Sequence, residues 1–317
     1  MPRNFHLRSW IAAAVLLFVP TLLSAQQASR VVGRIIAAKV VGTVMVTDSR
    51  APMKPFRLVE RGEVTESQII NTGEDSRVLL VFSNGATVNV GAKSTLAIEE
   101  FLQDPFSQPI KVSELVDEPT TSTTKLNLIR GEMMSNVKHL RREKGSSFSV
   151  QTPVGAAGIR GTTFQIVYRA SGNVGSYALR MVEGKIALDF GGRSKNIDVE
   201  KDQQVVLDGI SLDASGRVVA LPSSIKLSDI PESLKASLSA AAQSLSDAAA
   251  VINFPPLRAA ESPQQAFPQS GGSSDSSGSG PDATTPSGAS SSSLLPLSPV
   301  PPAVPPAPRT TPGDGQA

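Results

Sequence analysis

Short runs in which apolar residues alternate with polar ones dominate residues 31–222. One such run, RVLLVFSNGATVNV (77–90), carries Asn84-Gly85 at its centre. Alternation with a period of two places one face of a strand against a core and the other in solvent, and Asn-Gly between two such halves is typical of a tight hairpin turn. The sequence therefore predicts an all-β domain over residues 31–222.

Glycines recur where the predicted strands turn, at Gly42, Gly62, Gly85, Gly131, Gly161 and Gly184. Gly42 and Gly62 are 20 residues apart, and Gly161 and Gly184 are 23 residues apart. This spacing suits one coil of a β-solenoid or β-helix, because glycine adopts corner conformations that strain other residues. A β-sandwich with glycines in its turns would show the same spacing, so the spacing leaves both architectures open.

The apolar period changes in residues 229–252, DIPESLKASLSAAAQSLSDAAAVI. Apolar residues there follow each other at steps of three and four, at Leu234, Leu238, Ala241, Leu245, Ala248 and Ile252. The pattern predicts an amphipathic helix with Pro231 in its first turn. The apolar stripe is short and rich in alanine, which favours packing against the β domain over pairing with a second chain.

Residues 254–317 consist mainly of proline, serine, glycine, alanine and threonine. A segment of this composition buries too little apolar surface to offset the entropy lost on ordering. The sequence therefore predicts a disordered Pro/Ser-rich tail.

The first 25 residues have the organisation of a secretory signal peptide. Arg3 and Arg8 precede the apolar run WIAAAVLLFVPTLL (10–23), and a small-residue site ends at Ala25. We therefore expect a signal peptide over residues 1–25 and a soluble, exported chain in the periplasm or outside the cell. No later run is apolar for long enough to span a bilayer, so no membrane span is expected after cleavage.

Several kinds of functional site are disfavoured by composition. The chain has no cysteine, which excludes disulfides and thiolate metal sites. Beyond His6 in the predicted signal peptide, His139 is the one histidine, and it lies in a charged stretch. Without Arg3 and Arg8 the chain has 28 basic and 28 acidic residues, unlike a nucleic-acid binder. We predict no catalytic residues, no cofactor, no metal and no nucleic acid.

One basic run is a candidate for binding an anionic partner, such as a phosphate-bearing envelope polymer. Its cations are Lys138, Arg141, Arg142 and Lys144. Clustered cations attract anionic groups, although many charge runs are simply solvated surface. Both interpretations remain open from the sequence.

The segment FSVQTPVGAAGIRGTTFQIVY (148–168) joins two strand patterns through Thr-Pro and Arg-Gly-Thr-x-Phe elements. Its hallmark residues are Thr152, Pro153, Arg160, Gly161, Thr162 and Phe164. Similar strand-and-glycine elements flank it at residues 79–101, 125–137 and 179–188. Together these motifs resemble the FecR domain family, and the resemblance covers about residues 40–208.

Most of the hallmark has a structural interpretation. Pro153 would end a strand, and Gly161 would permit a positive φ or a close backbone approach at a bend. The guanidinium of Arg160 would donate hydrogen bonds to carbonyls left unpaired by the bend. The alternative is that Arg160 binds a ligand.

The FecR resemblance implies a β-solenoid-like domain, which favours the solenoid over the sandwich. The family's namesakes are inner-membrane regulators with a cytoplasmic anti-sigma region, one membrane helix and a periplasmic domain that responds to an outer-membrane iron-siderophore receptor. This sequence shows neither the anti-sigma region nor a retained membrane helix. We therefore expect a module that does not relay a signal across the inner membrane by itself.

Three functions follow as expectations. The first is non-catalytic binding or scaffolding at the cell envelope, with an unidentified envelope protein or polymer as partner and an open oligomeric state. The second is a sensory component of cell-surface signalling that works with a separate membrane protein. The third is a carbohydrate-active enzyme that recruits carboxylates distant in sequence.

Signal cleavage can be checked directly. Export should remove residues 1–25, because a charged start, a short apolar run and a small-residue site form a signal-peptidase substrate. Intact-mass measurement of the exported protein should show a chain that begins near Gln26. A product that retains Arg3 and Trp10 would contradict the expected export route.

Overall fold

The computed structural model of the protein describes residues 30–258. The predicted signal peptide at residues 1–25 and residues 259–317 of the predicted tail lie outside this range. The start of the predicted tail is corrected, because Phe254 is fully buried and its strand pairs with Ile110. The folded part of the chain therefore extends past residue 253.

The described residues form twenty-one strands and one α-helix, α1 (Glu232–Ala249). The strands are β1 (Val31–Val32), β2 (Ile35–Val41), β3 (Val44–Asp48), β4 (Ala51–Arg57), β5 (Glu63–Val64), β6 (Gln68–Thr72), β7 (Arg77–Phe82), β8 (Thr87–Val90), β9 (Thr95–Gln103), β10 (Ile110–Lys111), β11 (Ser122–Asn136), β12 (Ser147–Gln151), β13 (Ala156–Ile159), β14 (Thr163–Ser171), β15 (Val174–Glu183), β16 (Lys185–Asp189), β17 (Ile197–Glu200), β18 (Gln203–Leu212), β19 (Val218–Ala220), β20 (Leu227–Asp229) and β21 (Asn253–Phe254).

Two large sheets carry nearly all of these strands. Sheet 1 has the order β4-β3-β6-β9-β11-β12-β13-β16-β17, and β1 pairs with the end of β9. Sheet 2 has the order β5-β2-β7-β8-β11-β14-β15-β18, and β18 also pairs with β19 and β20. Among the paired strands of residues 30–258, only β11 and β12 are parallel. The prediction of an all-β body with a C-terminal helix is confirmed.

Strand β11 belongs to both sheets. Its first part pairs with β9 in sheet 1, and residues 131–136 pair with β14 in sheet 2. The strand turns at Gly131, which has a φ of 96°. A Cβ at this position would lie 2.5 Å from the Cα of Ser94, so the corner requires glycine both for its dihedral angle and for its space.

The predicted corner glycines have two roles. Gly42, Gly62, Gly131, Gly161 and Gly184 lie where the chain passes from one sheet to the other. Gly85 instead lies in the hairpin between β7 and β8, as the Asn-Gly signal predicts. Recurrent glycines in this sequence therefore mark changes of sheet more often than hairpin turns.

The core lies between the two sheets. Its largest fully buried side chains include Phe82 and Phe101, whose rings meet edge to face with centroids 5.1 Å apart. Leu96 and Phe164 extend the same cluster from sheets 1 and 2. Each fully buried side chain of this size stabilises the fold by about 1.5–3 kcal/mol. The core thus depends on two sheet faces held in register by the corners.

Helix α1 covers part of the outer face of sheet 2. Leu238, Leu245 and Ala249 are its buried residues, and Leu245 and Ala249 pack in a second apolar cluster with Leu79 and Met134 of the sheet. The helix begins at Glu232 rather than at residue 229, because residues 227–229 pair with β18 as β20. Within residues 30–258, no helix is long and apolar enough to cross a membrane.

The corner at Gly131 generates a stability prediction. Gly131→Ala should lower the free energy of unfolding by about 2–4 kcal/mol, because the new Cβ has neither an allowed φ nor free space. Gly172→Ala is the matched control, since Gly172 has a positive φ of 57° but no atom within 4 Å of the added Cβ. The control should lose only about 1 kcal/mol. Urea unfolding of both variants measures the difference, and equal losses would contradict the packing argument.

Candidate functional site

The Thr-Pro element of the hallmark forms the turn between β12 and β13. The hydroxyl of Thr152 donates to the carbonyl of Gly155 at 2.9 Å, and the backbone groups of the same two residues also bond to each other. The carbonyls of Pro153 and Val154 accept hydrogen bonds from the Arg193 guanidinium at 3.2 and 3.0 Å. Arg193, which the sequence gave no reason to single out, therefore holds the carbonyls of this turn.

The Arg-Gly-Thr element forms the corner at which the chain leaves sheet 1 for sheet 2. Gly161 has a φ of 95°, and an added Cβ would lie 2.9 Å from His139 Nδ1 and 3.0 Å from His139 Cα. Thr162 exchanges two backbone hydrogen bonds with Val137, and Phe164 enters the core. The predicted positive φ and close backbone approach at Gly161 are confirmed.

Arg160 does not have the structural role suggested above. Its side chain is exposed and makes no hydrogen bond or ion pair with the part of the chain that the structure describes. The physical reason is the strand alternation, because the inward neighbour Ile159 fills the core and Arg160 points to solvent. Arg160 thus remains available for contact with another molecule.

Lys185, a cation close to Arg160 at the end of the same strand pair, differs from Arg160 because it forms ion pairs. Ile159 pairs with Ile186 at the end of the β13–β16 ladder, and Arg160 and Lys185 are the next residue on each chain. Lys185 forms ion pairs with Asp198 at 2.9 Å and Glu200 at 3.1 Å. The hydrogen bond to Asp198, followed by that to Glu200, raises the pKa of the Lys185 ammonium.

The predicted basic run lines an open cavity of about 510 Å³ beside the hallmark corner. The lining residues are Asp117, His139, Leu140, Arg141, Arg142, Glu143 and Lys144. Three of the four predicted patch residues, all but Lys138, are among them. The side chain of Lys138 instead lies near Gly85, where its Cγ would be 3.1 Å from an added Cβ.

Two features predicted separately from the sequence meet at this cavity. Gly161 of the hallmark packs directly against His139, which is a lining residue. The corner glycine is therefore the residue that lets the basic segment lie close against the hallmark bend. A bulkier residue at position 161 would displace His139 and with it the wall of the cavity.

A buried carboxylate holds the basic segment in place. Glu118 is fully buried, and its carboxylate accepts a hydrogen bond from the backbone N–H of Arg141 at 3.0 Å and one from the Ser122 hydroxyl. The Arg141 side chain returns the contact, since its Nε donates to the Glu118 carbonyl at 2.9 Å. A buried carboxylate without hydrogen bonds would be strongly destabilising, so these contacts constrain the segment tightly.

The Glu118 contacts extend into a buried polar network. The Asn84 amide donates to the Ser122 hydroxyl at 2.9 Å, and the backbone N–H of Ser122 donates to the Ser146 hydroxyl at 3.2 Å. The network therefore links the β7–β8 hairpin, the start of β11 and the end of the basic segment. Sequence reasoning missed Glu118, because nothing in the pair Asp117-Glu118 distinguishes the buried residue from the exposed one.

The walls of the cavity carry both basic and acidic side chains. Arg142 and Lys144 are exposed and have no ion-pair partner within residues 30–258, whereas Asp117 and Glu143 supply acidic groups at the wall. His139 makes no side-chain hydrogen bond to a described residue. No group of three metal-ligating side chains occurs in the described part of the chain. The cavity thus presents free cations suited to an anionic group.

Comparison with known protein families supports the resemblance seen in the sequence. The family described as FecR protein matches residues 68–187, and this match confirms the resemblance over a shorter stretch than residues 40–208. The matched residues contain the Thr-Pro turn, the Gly161 corner and the basic cavity. No protein among those with curated descriptions matches the chain.

Solved structures show only a distant likeness. Two crystal structures of a protein assigned as an anti-sigma factor, from Parabacteroides distasonis ATCC 8503, align with TM-scores of 0.35 and 0.34 at 15% and 14% identity. Each alignment covers 51% of this chain and 59% of the solved chain. The chain therefore spans about three fifths of those proteins, and the alignments support no conclusion on function.

The two surface arginines of the hallmark region form a matched pair for a stability test. Arg160→Ala should change the free energy of unfolding by less than about 0.5 kcal/mol, as is usual for an exposed side chain without partners. Arg193→Ala should lower it by about 1 kcal/mol, because two carbonyl contacts are lost. Thermal or urea unfolding separates the two expectations. A larger loss for Arg160→Ala than for Arg193→Ala would restore the structural role of Arg160.

Proposed function

Starting from the FecR domain at residues 68–187, we propose that this protein is a non-catalytic sensory component of cell-surface signalling, which works with a separate membrane protein. The observation that carries the proposal is the contact between Gly161 and His139, which joins the family hallmark to the basic cavity. A hallmark whose glycine shapes a binding cavity is expected if partner binding is the task of the domain. Binding or scaffolding at the envelope without signalling is the broader form of the same proposal.

The partner that suits the cavity carries an anionic group. Among residues 30–258, Arg142, Lys144 and the hallmark residue Arg160 have no ion-pair partner. An acidic segment of an envelope protein or an anionic envelope polymer would pair with these cations without displacing existing ion pairs. The predicted signal peptide supports an exported location, in the periplasm or outside the cell.

The proposal that the protein is not an enzyme rests on the same side chains. Asp117 is exposed whereas Glu118 is buried, so the two neighbouring carboxylates point apart and do not form a catalytic pair. The hydroxyl and backbone donors around Glu118 are occupied in holding the basic segment. These contacts favour a fixed binding surface over an acid-base site.

The architecture of the β body has features of both a β-sandwich and a β-solenoid. Nearly all described strand pairs are antiparallel and two sheet faces enclose one core, which supports the sandwich alternative. The repeated passage of the chain between sheets at glycine corners supports the β-solenoid-like description. We propose a two-sheeted, solenoid-like body in which the corners, rather than the flat faces, carry the hallmark site.

The signalling proposal is tested by removing the two free cations. In the native host, a strain that lacks the gene should lose regulation of a defined set of transcripts, and the wild-type gene should restore it. The double variant Arg142→Ala/Lys144→Ala should fail to restore it, because the cavity loses two of its three lining cations while Glu118 still holds the segment.

The control is the double variant Lys54→Ala/Lys226→Ala, which removes two cations that lie outside the cavity. It should restore regulation fully. If the cavity variant restores regulation as well as the control, the proposed role of the cavity is wrong. If deletion changes no transcripts, the protein has no signalling role and only the broader binding proposal remains.

A further inference from the structure

A second cavity lies between helix α1 and the outer face of sheet 2, with a volume of about 340 Å³. Its lining residues are Lys39, Arg77, Leu79, Asn89, Met134, Ala241, Ser244, Leu245 and Ala248. It shares no residue with the cavity at residues 117 and 139–144. Its volume lies within the range of about 300–1,000 Å³ that is usual for small-molecule sites.

The sheet brings two cations to the same side of the cavity. Lys39 of β2 pairs with Leu79 of β7, and Arg77 lies two residues before Leu79 on the same face. Lys39 and Arg77 are therefore diagonal neighbours, at about 7–8 Å between their Cα atoms. Both side chains are exposed, and neither makes a hydrogen bond or ion pair with any residue that the structure describes.

Several other cations on the outer faces of the two sheets form ion pairs with carboxylates. Lys125 pairs with Glu100, Arg169 with Glu132, and Lys185 with Asp198. Lys39 and Arg77 are diagonal neighbours, and two like charges at this distance repel each other unless an anion lies between them. The arrangement of Lys39 and Arg77 is the one expected where a bound anionic ligand, rather than a carboxylate of the protein, is the counter-ion.

The acidic residues closest to Lys39 and Arg77 in sequence or strand register do not act as their counter-ions. Glu74 forms an ion pair with Lys93, and Glu132 forms one with Arg169. Asp247 accepts a hydrogen bond from Gln243. The exposed Asp75, two residues before Arg77, forms no ion pair with Arg77, Lys39 or any other residue that the structure describes. None of the lining residues is acidic. The cavity therefore has a positive wall whose charge is uncompensated by its own lining.

The rest of the lining is apolar or neutral. Leu79 and Met134 form its floor, and Leu245 forms part of the helix wall, all three being buried. The small side chains of Ala241, Ser244 and Ala248 leave the space above this floor unfilled. Asn89, which pairs with both Leu79 and Met134, adds an amide next to the floor.

We propose that this cavity binds a small amphipathic anion, with a phosphate or carboxylate group between Lys39 and Arg77 and a short apolar body against Leu79, Met134 and the helix. The Arg77 guanidinium offers the paired donors that suit either headgroup, and Lys39 adds a second charge. Because one wall belongs to α1 and the floor to sheet 2, the ligand bridges the helix and the sheet. Binding therefore strengthens the docking of α1.

Hexyl phosphate is the probe for this site, titrated into the purified full chain by calorimetry at low ionic strength. We expect saturable binding of one molecule per chain. Arg77→Gln should weaken it at least tenfold, and Ser244→Leu should abolish it by filling the space while both cations remain. Lys54→Gln, which removes a cation of β4 outside this cavity, should bind like the wild type.

Related probes separate the parts of the ligand. Inorganic phosphate should bind at least tenfold more weakly than hexyl phosphate, hexyltrimethylammonium should not bind, and the stronger of hexanoate and hexyl phosphate identifies the headgroup. Hydrogen exchange of α1 amides should slow on binding. The proposal is wrong if Arg77→Gln keeps wild-type affinity, if Lys54→Gln weakens binding as much as Arg77→Gln, or if inorganic phosphate binds as tightly as hexyl phosphate. None of these results depends on the signalling role.

Discussion

The bend of β11 at Gly131 connects the two halves of this structure. The strand pairs with β9 before the bend and with β8 and β14 after it, so one continuous backbone lies in both sheets. The bend exists because Gly131 has a positive φ and because Ser94 packs where a side chain would otherwise stand. With the corner fixed, the inner faces of both sheets meet at the distance that their side chains fill, and Phe82 of sheet 2 contacts Phe101 of sheet 1.

The hallmark site uses the same device at another corner. Gly161 also combines a positive φ with a close neighbour, here His139. Around this corner some backbone groups lie outside the sheets, and side chains form hydrogen bonds with several of them. Arg193 holds the carbonyls of the Thr-Pro turn, and Glu118 holds the basic segment through the N–H of Arg141. The side chains that position the candidate binding surface therefore do so through hydrogen bonds to backbone groups.

Helix α1 covers part of the outer face of sheet 2. Part of the outer face of sheet 2 carries Leu79 and Met134 and is covered by α1, so that β7 is apolar on both sides. The alanine-rich stripe of the helix brings it close to the sheet at Leu245 and Ala249 but leaves an unfilled cavity beside Lys39 and Arg77. The helix thus buries apolar surface of sheet 2 and forms one wall of this second cavity.

The sequence by itself determined the strands, the corner glycines, the C-terminal helix and the FecR hallmark, because each depends on local spacing and on the dihedral freedom of single residues. The alternation in residues 77–90 predicts a hairpin whatever lies around it. Only the tertiary structure decided which of the charged residues are buried, which are paired and which are exposed without a partner in residues 30–258. It buried Glu118 and left Asp117 exposed, and it gave the carbonyl contacts to Arg193 and none to Arg160. It also set Lys39 beside Arg77, which is 38 residues later in the sequence. Burial and charge pairing arise from contacts between residues distant in sequence. A local sequence pattern does not show which distant residues will be in contact, so it cannot predict either property.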